Sequence, residues 1–203
     1  MSSFFAYLAI CLAIATGALS PGPSFVVVAR TAMAHGRKQG MKVALGMGLA
    51  GLTYALIAEL GIGAVVKSNP IIFLVFKIAG SLYLAFIGVS MLRHAKVFSS
   101  ANAEGIEPST GFFQGLRTQL SNPKTIIVYA SIFAALMPRS PEPWLLVALP
   151  ATIGLIEAGW YVVVATLFAT SRASSAYAKA KAPIDRVAGT VIILLAVSLA
   201  FLG

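Results

Sequence analysis

Three features of this sequence could do chemistry. Ser20-Pro21-Gly22-Pro23-Ser24 breaks an apolar run about 17 residues after it begins at Phe4. Ser121-Asn122-Pro123-Lys124 precedes a second run, Thr125 to Met137, of only 13 residues. Prolines withhold backbone donors and glycine weakens a helix, so the first run must kink or stop at its break. Both sites also read as helix starts. Ser20 or Gly22 before a proline, and Asn122 before Pro123, fit a capping residue followed by proline at the first helical position. A helix N-terminus carries N–H donors and partial positive charge, which suits an anionic group such as a carboxylate. The third feature is Glu157, set in an apolar stretch between Trp144 and Arg172. A charge there is costly, so this carboxyl is expected to be paired, protonated or functional, exchanging a proton or holding an ammonium group.

Glu59 and Lys77 form a further pair of interest. They stand eight residues before Lys67 and seven after Pro70, at one depth, and are expected to pair structurally or to take part in coupling. Lys77 could instead snorkel outward. His35 and His94 fall in connections with no carboxylate or cysteine at ligand spacing, and no Ser-His-Asp or phosphate-cradling arrangement occurs. The single Cys11 excludes an intrachain disulfide and a cysteine metal cluster. No metal, cofactor or enzymatic activity is expected.

The elements that position these groups follow from composition. A chain of 203 residues that is 59% hydrophobic, with a mean hydropathy of +0.90, has more apolar surface than one soluble core can bury. Its solvent must be lipid. A crossing helix needs roughly 20 apolar residues for a hydrocarbon core of about 30 Å. The expected fold is an all-α integral membrane protein with six spans, about 4–29, 41–66, 71–92, 112–137, 144–169 and 184–202, in one polytopic domain over 1–203. Arrays of Ala, Leu, Gly and Val without alternation argue against barrel strands. The run from Thr125 is too short to cross alone, so Phe112 to Leu120 must enter the membrane before the break. Counted at about 1.5 Å per residue, both breaks fall in the cytoplasmic half, where their backbone must line a protein cavity because lipid offers no partner. A linker over 94–110 divides the chain into two three-helix halves, and the odd count gives them opposite orientations. Paired interrupted segments, one per half, point to a transporter's site. Gly40, Ala44 and Gly48 form a stripe suited to close helix packing.

Charge supplies the orientation. Only 10% of residues are charged, with a balance of +9. Arg30, Arg37, Lys38 and Lys42 follow the first span, Arg93, Lys96, Arg117 and Lys124 surround the third gap, and Arg172, Lys179, Lys181 and Arg186 the fifth. Clustered basic residues mark cytoplasmic connections, which places both termini outside. A nucleic-acid stripe would not alternate with apolar runs in this way. Met1 to Leu8 lacks the basic region of a signal peptide and runs on into further helix, so it reads as part of the first span.

These residues resemble the lysine exporter (LysE/RhtB-type) family of bacterial amino-acid exporters. The resemblance begins with Pro21-Gly22-Pro23, Arg30, Gly36, Arg37 and Gly40, and continues through Gly46, Gly51, Gly61 and Gly63. It takes in Pro70, Phe73, Lys77, Gly80, Tyr83, Leu84 and Gly88, then Phe112, Gly115 and Asn122-Pro123-Lys124, its most specific piece, with Trp160 and Tyr161 echoing an aromatic position. The chain departs at Gly51-Leu52, where many members carry an acidic residue after the glycine; Glu59, two helical turns from Leu52, has the same face available.

The resemblance implies an exporter of amino acids or related small zwitterionic metabolites in the bacterial cytoplasmic (inner) membrane, driven by exchange for a proton or another ion. The expected solute site comprises Ser20, Pro21, Gly22, Pro23, Ser24, Asn122, Pro123 and Lys124 around the carboxylate, with Glu157 facing the ammonium or carrying the proton. Rival expectations are export of a metal cation or cationic toxicant, and a non-transporting membrane subunit. Self-association stays open.

Overall fold

The computed structural model describes residues 2–19, 22–68, 70–93 and 111–202, and within these the side chains other than those of 65–68, 70, 171–179, 181 and 198–202. The expected linker over 94–110 lies outside the described residues. Among the described residues eight helices form: α1 (Ser3–Leu19), α2 (Pro23–His35), α3 (Arg37–Ser68), α4 (Pro70–Arg93), α5 (Phe112–Leu120), α6 (Pro123–Leu136), α7 (Pro143–Phe168) and α8 (Ser171–Leu202). No strand occurs among the described residues.

Among the described residues three segments can cross a membrane by length and composition: Arg37–Ala64, Ile71–Arg93 and Pro143–Phe168. The α1–α2 pair, bent by 56° at its short break, makes up to a fourth. The surface agrees with a lipid solvent. Val147 is 75% and Leu155 73% exposed, whereas Glu157 on the same helix is only 4% exposed. Water would penalise that arrangement and hydrocarbon favours it.

Four helices begin at proline: α2, α4, α6 and α7. Proline is pre-set for the first turn and lacks only a donor that would have no intrahelical acceptor. Two boundaries differ from expectation. The gap after the first apolar run is almost wholly helical, since α2 extends to His35 and α3 starts at Arg37. Gly36 alone makes the corner, at φ +81°, a region where a Cβ is strained. His35 is therefore an exposed residue of the last turn of α2 rather than a loop residue; His94 lies outside the described residues. Likewise α8 starts thirteen positions before the expected Ile184, running through Pro183. The charges of Arg172, Lys179 and Lys181 suggested a loop, but Ala173, Ala176, Ala178, Ala180 and Ala182 supply strong helix propensity.

The long helices of the first half find their main neighbours in the second. Helix α3 packs along α7 and against α5, and α4 packs along α8 and α6. Glycine sets the closest approaches. A Cβ on Gly46 would lie 2.0 Å from the Phe112 carbonyl oxygen, and one on Gly115 2.0 Å from that of Val43. The Gly40, Ala44, Gly48 stripe faces α7, with Gly40 against Ala165 and Gly48 against Ala158 and the Gly154 carbonyl. Where backbones touch, dispersion between helices replaces the hydrophobic drive that lipid cannot supply. At the other end of α7, Tyr7 pairs with Thr152 through its hydroxyl at 2.9 Å, and Ser3 Oγ accepts from the Glu142 amide at 3.2 Å, fixing α1 to the start of α7.

Gly46 and Gly61 on α3 thus give opposite expectations. Gly46→Ala, which must push α5 away, should destabilise the detergent-solubilised protein by about 1–3 kcal/mol. Gly61→Ala, with nothing within 4 Å of the new methyl, should be neutral or stabilising by about 0.5–1 kcal/mol. Thermal melting of the two variants side by side checks both.

Candidate functional site

The turn between α5 and α6 is two residues long, and its hydrogen bonds fix its side chains. Ser121 N–H donates to the Arg117 carbonyl at 2.8 Å and Asn122 N–H to the Gln119 carbonyl at 3.1 Å, closing α5. Asn122 then caps α6, its Oδ1 accepting from the Lys124 amide at 3.1 Å. That bond orients the side-chain amide. With Oδ1 committed to the cap, Nδ2 faces the first half of the chain and donates to Ser24 Oγ at 3.0 Å.

Ser24 is the second residue of α2. Gly22 caps this helix in an extended conformation, without a side-chain bond, and Pro23 follows. Ser24 Oγ–H donates to Gln119 Oε1, and Gln119 Nε2–H donates to Glu157 Oε2. Tyr129 O–H donates to the other carboxylate oxygen, Oε1, at 3.0 Å. The result is one directed chain, from Asn122 through Ser24 and Gln119 to Glu157, with Tyr129 closing the far end. All five residues are buried. Every member uses a donor toward the carboxylate, as burial of an acceptor-only group demands. Space for the carboxyl comes from Gly51, where a Cβ would lie 3.1 Å from Glu157 Cγ and 3.0 Å from the Tyr129 hydroxyl.

These groups line a cavity of about 40 Å³ together with Gly22, Lys124 and Tyr161. At about 10–15 Å³ per water, it holds a few waters or one polar head group. The Lys124 side chain lies over the start of α2, its Nζ 3.7 Å from where a Cβ on Gly22 would stand. The lining therefore includes an ammonium, two helix starts and a carboxylate. That is the charge pattern of a zwitterion's complement. Among the described residues no group of three His, Cys, Asp or Glu side chains gathers to hold a metal ion.

The structure brings Gly22, Ser24, Asn122, Lys124 and Glu157 to this one cavity and places Pro23 and Pro123 at the first positions of α2 and α6. Ser20 and Pro21 lie outside the described residues. Glu59 and Lys77 are elsewhere. Glu59 is buried against a different cavity, its Oε1 accepts no hydrogen bond, and among the described residues it makes no ion pair with Lys77. Equal depth along α3 and α4 did not bring the two side chains together. Sequence reasoning missed Gln119 and Tyr129, although a signal existed. Asn122, Thr125 and Tyr129 recur at helical spacing, so once Asn122 was a candidate the face it shares was too. Gln119 stands three residues before the cap, in the same turn.

The family model described as LysE type translocator matches residues 15–203. The chain is 32% identical to the threonine efflux protein of Salmonella typhi over 85% of its own length and 86% of that protein's. It is 31% identical to the threonine efflux protein of Escherichia coli over 91% and 92%, respectively. A leucine efflux protein of an Enterobacter species is 34% identical over 57% of this chain and 56% of its own. No solved structure matches.

Tyr129→Phe removes one of two donors to a buried carboxylate and should cost about 1–3 kcal/mol in thermal unfolding of the detergent-solubilised protein. In a Glu157→Gln background the same change should cost markedly less, because the charged acceptor is gone.

Proposed function

The chain belongs to the LysE type translocator family, and from that premise we propose that it exports amino acids or related small zwitterionic metabolites out of the bacterial cytoplasm by exchange for protons. The observation that carries the reading is the directed hydrogen-bond chain joining both helix starts to Glu157 around one cavity. The relatives named for threonine and leucine efflux support the solute class.

In this reading six crossings place both termini outside, with α1–α2 and α5–α6 as the first and fourth spans. The solute's carboxylate lies at the starts of α2 and α6, beside Lys124, and its ammonium meets Glu157. Ammonium and proton then compete for one carboxylate, which is what exchange requires. The chain's polarity carries the signal onward. Glu157 accepts from Gln119 and Tyr129; a proton on Oε2 must itself be donated, so the Gln119 amide has to turn and present its oxygen. Ser24 then loses its acceptor, and its hydroxyl oxygen faces two donors, Asn122 Nδ2 and Gln119 Nε2. Protonation at α7 thereby loosens the contact between the α2 and α6 starts, the two elements that line the solute's entry. Rocking of one three-helix half against the other opens the cavity to each face in turn.

Amino-acid efflux from preloaded cells or vesicles tests this. Glu157→Gln, which keeps size, and Asn122→Ala, which removes the side-chain amide, should both reduce efflux to background while membrane levels stay normal. Undiminished efflux in both would remove this site from the mechanism.

A further inference from the structure

A second cavity, of about 760 Å³, lies between the C-terminal part of α3 and the connection from α6 to α7. It is large enough for a whole amino acid, within the usual range of about 300–1,000 Å³ for ligand pockets. Its walls are mainly aliphatic, including Leu56, Leu60, Met137 and Leu146, and two charged side chains interrupt them. Glu59 is 8% exposed, lines the cavity, and has Oε1 buried without a hydrogen-bond partner. Arg139 is exposed at the rim, its guanidinium 5.2 Å from the centre of the Phe73 ring. A buried carboxyl oxygen left unmet is costly, and a donor brought by a ligand would relieve it.

This cavity is aligned with the first. Along α3, Gly51 flanks the central site and Glu59 follows eight residues later, about 12 Å further on. Along α6, Tyr129 lines the central site and Met137, just past the helix end, the second cavity. Between them stand Tyr54, whose ring lies 5.6 Å from that of Tyr129, and Phe133, stacked on Tyr129 at 6.4 Å. Both cavities thus lie along α3 and α6, with Tyr54 and Phe133 at intermediate positions on those two helices.

We propose that the Glu59 cavity is a second solute site, on the outer side of the Tyr54, Tyr129 and Phe133 rings, which holds the ammonium group of a solute with an aliphatic body. Glu59 receives the ammonium, the aliphatic wall takes the body, and Arg139 at the rim receives a carboxylate where the solute has one. The inference rests on the outward orientation and export reading given above. It adds a station at which solute waits after leaving Glu157, and a preference for aliphatic side chains at that station.

A reporter cysteine tests the site without any flux. Gly63 lines the cavity and has open space where its Cβ would stand. In a Cys11→Ala background, which removes the native thiol, Gly63→Cys should react in intact cells with a membrane-impermeant methanethiosulfonate reagent. Leucine and isoamylamine, added outside, should slow the reaction about threefold at twice their dissociation constant, as the unoccupied fraction falls by mass action. Isocaproate, which lacks the amine, should not. Adding Glu59→Gln should leave the cysteine reactive, at the rate set by the loss of the neighbouring carboxylate, and abolish protection relative to that variant's own unprotected rate. Equal protection with Glu59→Gln, equal protection by isocaproate, or no labelling from outside would each overturn the proposal. Protection in a chain that exports nothing would keep the binding site and remove only the transport reading.

Discussion

The structure depends on satisfying one carboxyl group inside a lipid-embedded bundle. Glu157 is buried beside a small cavity, and the cost of leaving it unmet exceeds that of any single packing contact. Two donors meet it, and they arrive from different elements. Gln119 comes from the short helix α5 and Tyr129 from α6. Both require the α5–α6 turn to lie beside α7, and α5 can come that close only because Gly46 and Gly115 allow its backbone to touch α3. Gly51 then leaves room for the carboxyl itself. Replacing any of these glycines disturbs the acid's surroundings before it disturbs the fold at large.

The chain of hydrogen bonds also ties the halves together. Gln119, Asn122, Tyr129 and Glu157 belong to the second half, and Ser24 alone comes from the first. Its hydroxyl both accepts from Asn122 and donates to Gln119. Any motion that separates the starts of α2 and α6 must break those two bonds. The extensive α3–α7 and α4–α8 contacts run through glycine and alanine, whose smooth surfaces can slide with little interlocking. Strong polar bonds thus stand at the site and weak, shape-based ones along the helices, which suits relative movement of two rigid groups.

Much of this was legible in the sequence, for definite reasons. Glu157 announces itself by the cost of its surroundings, and Asn122-Pro123 and Gly22-Pro23 by the chemistry of helix starts. The helical class follows from composition. Other parts were not legible. Depth can be counted along a helix but rotation cannot, which is why Glu59 and Lys77 looked paired and are not. Basic residues and helix propensity pointed in opposite directions over Ser171 to Ala182, and propensity prevailed. Gln119 and Tyr129 share the turn and the face of Asn122, but spacing alone does not say that they turn toward Glu157; only the packing of α5 and α6 beside α7 does.

The central claim is that Ser24 and Glu157 act as one unit through Gln119, although no direct contact joins them. The most direct measurement is a double-mutant cycle on amino-acid binding to the purified protein, read by isothermal titration with Ser24→Ala, Glu157→Gln and the double variant. Coupling through the chain predicts strongly non-additive losses, with an interaction term of about 1 kcal/mol or more. Losses that add to within about 0.3–0.5 kcal/mol would show that the two residues act independently and would contradict the account.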